Sequence, residues 1–239
     1  MDQRFLGKVA VTAGGTGGLG RAVSRAFLAE GCKVIATYRD QKEFDILKTE
    51  AGNAGASLAG WKADVTDETD VRLFVDKVIA EYGRIDIMVN AVGAFAGGTN
   101  LWDTQLKTFD QMMALNLRSG YLLARAVVPT MLGQKSGVII SIASKAAVDH
   151  GAGASAYAAS KAGVVALMDS LAAEVKGRGL RVNSILPSII DTEANRKAMP
   201  GADFAKWPKP DDIARVILFL CSDEGKLIHG ASIPVYGET

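Results

Sequence analysis

Short runs rich in valine and isoleucine alternate with longer stretches of helical periodicity from one end of the chain to the other. Runs at 8–13, 33–37, 57–63, 86–90, 137–143, 180–186 and 231–235 predict strands. Stretches at 18–29, 41–51, 67–81, 103–131 (in two pieces), 155–176 and 211–221 predict helices. The strand runs are nearly continuous in apolar residues rather than alternating, as expected of parallel strands covered on both faces. Strict alternation of strand and helix, with right-handed crossovers, predicts an α/β fold: one doubly wound parallel sheet of about seven strands, helices on both faces. No repeat, charge block or linker divides the chain, so residues 1–239 read as one domain. The stretch 188–210 is the one long irregular segment, carrying Met199, Phe204 and Trp207 among polar residues. A loop of that length in a compact domain is either a binding loop over a site or a surface insertion.

Composition narrows the partners. The hydrophobic content of 49% is that of a packed domain, and the net charge of +1 gives no electrostatic footprint for nucleic acid or an acidic membrane. No apolar run approaches the ~20 residues that span a bilayer, and no secretory signal opens the chain, which points to a cytoplasmic location. Cys32 and Cys221 are far apart in sequence and read as small buried hydrophobes; His150 and His229 lack metal-ligand spacing, so no metal is expected.

Two places carry chemistry. The strand run Lys8–Ala13 leads into Gly14-Gly15-Thr16-Gly17-Gly18-Leu19-Gly20 and then a helical stretch. Glycines let the backbone turn tightly and let a pyrophosphate approach, and the helix start offers free N–H groups and a positive dipole end. Strand, glycine turn and helix together predict a dinucleotide phosphate site. The second place is Tyr157 and Lys161, four residues apart, with Ser144 thirteen residues before the tyrosine. Four apart on a helix means one shared face, so the lysine's charge favours phenolate and lowers a pKa that is ordinarily about 10. The alternative is a tyrosine that packs and a lysine that is solvated. Asp149 and His150 fall between Ser144 and Tyr157, where they either line a substrate pocket or sit in a solvated loop.

These segments resemble the short-chain dehydrogenase/reductase family over essentially the whole chain. Gly14, Gly18 and Gly20 stand on the family's glycine positions, with Ala13 where threonine is usual. Asn90-Ala91-Val92-Gly93 resembles the segment after the fourth strand, and Asp64-Val65 the adenine partner. Asn116, Ser144, Tyr157 and Lys161 match the catalytic tetrad. Pro187-Ser188, Ile190 and Thr192 match the segment over the nicotinamide, with serine replacing the usual glycine. The resemblance implies a Rossmann-type sheet in the order 3-2-1-4-5-6-7. It implies hydride exchange between a nicotinamide and a carbonyl or alcohol, with Tyr157 as acid and base. Lys161 would lower the tyrosine pKa and bond the nicotinamide ribose, Ser144 would hold the substrate oxygen, and Asn116 would hold a water, bond the backbone at a helix break, or do both. It also implies a homotetramer, or a dimer, built through 103–131, 155–176 and the C-terminal strand. The cofactor contacts would come from Gly14, Thr16, Gly18, Leu19, Gly20, Arg39, Asp64, Val65, Asn90, Ala91, Gly93, Tyr157, Lys161, Pro187, Ile190 and Thr192.

Cofactor choice turns on the end of the second strand. Tyr38 occupies the position where an acidic residue would bond the ribose, and Arg39 follows with a guanidinium suited to phosphate. NADP(H) is favoured; Asp40, one residue on, keeps NAD(H) open. Narrower segments, 145–149 and 191–204, resemble dihydropteridine reductase, but Ser144 and Tyr38 depart from that enzyme. Pterin reduction and 3-oxoacyl reduction are therefore the alternatives, and a dinucleotide-sensing regulator is disfavoured by the complete tetrad.

Overall fold

The computed structural model describes residues 3–239. Seven parallel strands lie in the order β3-β2-β1-β4-β5-β6-β7. They are β1 (Val9–Ala13), β2 (Lys33–Tyr38), β3 (Leu58–Lys62), β4 (Ile87–Asn90), β5 (Gly137–Ile142), β6 (Leu180–Pro187) and β7 (Ser232–Val235). Strand order reverses between β1 and β4, and the crevice at the carboxyl ends of these strands is where such sheets bind ligands.

Alternate strand residues feed two separate cores, which is why the strand runs are nearly continuous in apolar residues. Val9, Val11, Met88 and Ile139 pack under α3 (Glu68–Tyr82), α5 (Ser119–Gln134) and α6 (Ser155–Val175) through Phe74, Leu123 and Val164. Ala10, Val34, Val89 and Ile140 pack under α1 (Gly18–Ala29), α2 (Gln41–Ala51) and α8 (Pro210–Cys221) through Phe27, Leu47 and Ile217. Asp86 pins the lower end of this sheet: its buried carboxylate accepts from Val9 N–H at 2.9 Å and pairs with Arg84.

Two predicted elements differ. The stretch expected as two helical pieces is one continuous helical run, α4 (Leu106–Met112) joined to α5 through a π-helical turn, Met113–Arg118. The wide turn keeps the helix unbroken while adding a residue, and such turns often mark functional positions. The stretch 188–210 is not wholly irregular. Thr192 Oγ1 accepts from Asn195 N–H and starts a short helix, α7 (Glu193–Ala198), and a 3₁₀ turn follows at Phe204–Lys206. Cys32 and Cys221 are free and buried, as expected, and burial pushes the Cys32 thiol up to about 12. Among the described residues no helix is long and apolar enough to cross a membrane, and no three metal-ligating side chains cluster.

Candidate active site

A cleft of about 570 Å³ opens over the carboxyl ends of β1, β4, β5 and β6, and Leu19, Gly93, Ser144, Tyr157, Lys161 and Pro187 all lie on its wall. The glycine loop forms one side. Gly14 has φ +69°, a conformation that favours glycine, and a Cβ there would lie 3.0 Å from Val92 Cγ2. At Gly20 a Cβ would meet Gly14 O at 2.0 Å, and at Gly18 it would meet Thr192 Cγ2 at 2.7 Å. Glycine is thus required where the loop folds back on itself and where it meets the segment after β6. Gly14 N–H is spent on Thr37 Oγ1 at 2.9 Å, which ties the loop to β2. Asn90 Oδ1 accepts from Val92 N–H at 3.1 Å and shapes the turn that carries Ala91 and Gly93.

The structure brings the four tetrad residues together from three places in the fold. Asn116 sits in the π-helical turn, Ser144 after β5, and Tyr157 and Lys161 in the first turns of α6. Lys161 is 4% exposed, its Nζ donates to Ile142 O at 2.8 Å and lies 6.0 Å from the Tyr157 ring centroid. Burial lowers its pKa to about 8, so at neutral pH it is a buried cation close to its titration point. Asn116 is buried and donates from Nδ2 to Ala94 O (3.1 Å) and Ser160 Oγ (2.9 Å), while its Oδ1 accepts from Ala94 N–H (2.8 Å). Of the two roles expected for this amide, bonding backbone is the one the contacts display, and the backbone is that of Ala94 in the loop after β4 rather than a break in its own helix. A Cβ on Gly93 would fall 2.9 Å from Asn116 Oδ1 and 3.1 Å from Lys161 Nζ, so glycine there lets both side chains abut the loop. Ser144 Oγ accepts from Ala146 N–H at 3.2 Å, starting a 3₁₀ turn.

The expected lowering of the Tyr157 pKa is not what the surroundings produce. Burial raises it, and the Ser144 hydroxyl opposes that rise in part; the Lys161 ammonium lies over the ring, 6.0 Å from its centroid, and is bonded to Ile142 O. The phenol is a stable proton store in this state.

Other expected positions are placed as follows. Leu19, Ala91, Pro187 and Ile190 line the cleft, and Val65 is buried beside β3. Thr192 presents its methyl to Gly18 while its hydroxyl caps α7. Asp64 Oδ1 accepts from Thr66 N–H and Oγ1, which hold its carboxyl below the usual range, and the Arg39 cation adds to this. Asp40, which kept NAD(H) open, has its carboxylate turned to cap α2, accepting from Lys42 N–H at 2.9 Å. Asp149 reaches the cleft wall; His150 is exposed and its Nε2 meets Ala147 O at 3.2 Å instead.

Two residues were missed by sequence reasoning. Glu43, in the first turn of α2, accepts from Thr16 Oγ1 at 3.0 Å and puts a carboxylate beside the glycine loop. Its sequence signal is weak, since an acidic residue in a first helical turn is ordinary. Phe95 packs edge-on against Tyr157 with ring centroids 5.0 Å apart.

A family model described as short chain dehydrogenase matches residues 8–203. The chain belongs to the short-chain dehydrogenase/reductase family. D-threitol dehydrogenase of Mycolicibacterium smegmatis is 35% identical, the match covering 99% of this chain and 94% of that one. A 3-oxoacyl-(acyl-carrier-protein) reductase of Thermotoga maritima is 33% identical, with 98% of each chain covered. The crystal structure of gox2181 superposes with a TM-score of 0.92 at 29% identity, covering 99% of this chain and 96% of that one. As a member of this family the protein is an oxidoreductase with a nicotinamide-dinucleotide site. The sheet order β3-β2-β1-β4-β5-β6-β7 is the one the family resemblance implied.

Proposed function

We propose that this short-chain dehydrogenase/reductase is an NADP(H)-dependent enzyme interconverting a small carbonyl compound and its alcohol, with Asn116, Ser144, Tyr157 and Lys161 as its working residues. The observation that carries the reading is the buried Lys161 ammonium one helical turn from Tyr157, with Ser144 beside the phenol, on the wall of the cleft that the glycine loop borders. The loop fits a dinucleotide, since its glycines let it fold back tightly at Gly14 and Gly20 directly before α1, whose first N–H groups have no side-chain cap and can take a phosphate. When bound, the nicotinamide supplies or accepts the hydride. Ser144 Oγ and Tyr157 Oη hold the carbonyl oxygen between them. Because burial keeps the phenol protonated, Tyr157 has a proton to give as negative charge develops on that oxygen. The Lys161 cation then stabilises the phenolate left behind, the stage at which the expected lowering of its pKa belongs. Asn116 has both amide hydrogens occupied and keeps an acceptor site on Oδ1 for a water that reaches Lys161.

In this reading Gly14, Thr16, Gly18, Leu19 and Gly20 cradle the phosphates, and Asp64 and Val65 meet the adenine. Asn90, Ala91, Gly93, Pro187, Ile190 and Thr192 surround the nicotinamide half, and 188–210 is the substrate loop. Arg39 grips the 2′-phosphate. It is exposed just past β2, and the carboxylate of Asp40 is turned away as a helix cap. Glu43, whose carboxylate is bonded to Thr16 of the glycine loop, would oppose this preference, so NADP(H) is favoured and NAD(H) is still accepted. Following NADPH absorbance with a panel of ketones, quinones, 3-oxoacyl thioesters and quinonoid dihydropterin tests the reading; turnover of none of them sinks it.

The enzyme is further proposed to be a cytoplasmic homotetramer. Free, buried Cys32 and Cys221 suit a reducing compartment. Leu101, Trp102, Leu106 and Tyr121, on and before α4 and α5, are 69%, 79%, 72% and 48% exposed and form an apolar surface that a second copy would cover. Light scattering behind a sizing column checks it, and a single species at 25.1 kDa refutes it.

A further inference from the structure

Phe95 is outside the tetrad and outside the expected cofactor contacts, yet it stands on the cleft wall and touches the tyrosine on which the proposed reaction turns. It is 68% exposed. A single exposed phenylalanine is unremarkable; this one is also held in place. Its ring meets Tyr157 edge-on at 5.0 Å with an interplanar angle of 78°, a favoured aromatic geometry. The chain then folds back against the ring: a Cβ on Gly97 would lie 2.6 Å from Phe95 Cζ, so the ring rests against the Gly97 backbone. Gly98 N–H donates to Gly153 O at 2.8 Å, tying this loop to the segment that leads into α6 and Tyr157. Loop, ring and tyrosine are thereby fixed as one unit.

The rest of the cleft has the same character. Ile189 and Met199, from the segment after β6, add apolar surface. Of the charged groups at the rim, Lys145 and Asp149 face each other at 3.8 Å. Lys145 Nζ also lies 5.3 Å from the Tyr236 ring centroid. Both are solvent-accessible rim groups that pair with each other, and apolar side chains make up most of the cleft surface. Ser188 and Thr239 donate to Tyr236 O and Asn195 Nδ2 to Ile190 O, so the hydroxyls open to a substrate oxygen are those of Ser144 and Tyr157.

Resting on the function proposed above, we propose that Phe95 is a specificity-determining residue and that the substrate is a compact, uncharged ketone carrying an apolar ring, or the matching secondary alcohol. The ketone, NADPH and a proton give the alcohol and NADP⁺; the carbonyl π bond breaks, one C–H and one O–H bond form, and NADPH is oxidised. The Phe95 face covers the ring of the substrate while Ser144 and Tyr157 take its oxygen. A polyhydroxylated chain would strand its hydroxyls against Phe95, Ile189 and Met199, where nothing bonds them.

The test is calorimetric titration of the full chain saturated with NADPH, using alcohols that cannot react with the reduced cofactor. Cyclohexanol and a bicyclic secondary alcohol are compared with a four-carbon tetritol, in the wild type, Phe95→Ala and Phe95→Leu. The cyclic alcohols are expected to bind more tightly than the tetritol. Phe95→Ala should weaken them by roughly tenfold or more, with Phe95→Leu between, while tetritol and NADPH affinities stay within about twofold. Tighter tetritol binding, or equal losses for all ligands in Phe95→Ala, would overturn the assignment. So would a Phe95→Ala protein that binds cyclic alcohols normally but changes its assembly mass, which would give the ring to a subunit contact. Failure of the broader reading looks different: no NADPH binding and no carbonyl turnover in the wild type. Repeating the titration without cofactor then still compares the two alcohol classes.

Discussion

The two ends of the cleft are built on opposite principles. At the nicotinamide end every working side chain is buried or braced: Lys161 by Ile142 O, Asn116 by Ala94 and Ser160, Tyr157 by Phe95. At the end proposed to take the adenosine, the groups assigned to cofactor choice are carried at the surface. Arg39 is exposed, Glu43 reaches Thr16 from an exposed position, and Asp64 is held by a turn with Thr66. Burial makes the first end intolerant of change, because each group has one position and a strong local field. Surface charge makes the second end adjustable in small steps. A protein built this way keeps its chemistry while its cofactor preference drifts.

The largest effect should come from the buried end. Tyr157→Phe removes the proton donor and keeps the ring packed on Phe95. Carbonyl reduction should fall by about 10²- to 10⁴-fold, with the NADPH dissociation constant changed little. Near wild-type turnover on an established substrate would break the contrast at its stronger side.

Next comes the energetic cost of burying a cation. The folded-state pKa of Lys161, about 8, lies below the ordinary value of 10.5. Between those pH values the unfolded chain holds the proton and the folded one has released it, so this group makes stability rise with pH across that window. Lys161→Met should abolish the rise. Its stability advantage over the wild type, measured by urea unfolding, should shrink by roughly 3 kcal/mol between pH 8 and 10.5. Parallel curves would mean that the ammonium is better solvated than its burial indicates.

The adenosine end should respond less. Arg39→Ala is expected to weaken NADPH by about ten- to a hundredfold relative to NADH, the loss of a charge-assisted phosphate contact. Equal losses for both cofactors would remove Arg39 from that role. Glu43→Gln should act in the opposite sense and more weakly, shifting the NADPH/NADH affinity ratio toward NADPH by about two- to fivefold. A shift toward NADH would show that the carboxylate serves the phosphate-bearing cofactor in some other way.

Legibility in the sequence followed the same division. The buried end was readable because its residues are tied to motif and spacing: the glycine loop, the Tyr157/Lys161 pair and the strand runs all have local physical causes. The polar end was not, because Glu43 reaches Thr16 only through the packing of α2 against the sheet, and Asp40's role as a cap depends on where that helix begins. The fate of His150 against Asp149 likewise rests on side-chain direction, which sequence spacing does not reveal. The π-helical turn at Asn116 had no signal beyond a helical stretch too long for one regular element. The direction of the Tyr157 shift was misjudged because four-residue spacing speaks of proximity and says nothing of desolvation, the larger influence in the folded protein.

The segment after β6, the proposed substrate loop, is held unevenly along its length. Asp191 N–H bonds Pro208 O at 3.0 Å, closing the base of the loop. Beyond that base Trp207 is buried against Phe204, and Glu238 N–H bonds Lys206 O at 3.0 Å. The returning limb is thus anchored to the C-terminal segment, while the outgoing limb, from α7 to about Ala202, is held mainly through Arg196, which pairs with Asp191 and lies over the Phe204 ring at 4.9 Å. Traffic through the cleft is then a one-sided hinge with Met199 near its tip. In hydrogen exchange the amides of 193–202 should open on a faster clock than those of 204–208. Release of product would be timed by that limb alone, so that shortening it would alter turnover while leaving the catalytic proton transfer untouched.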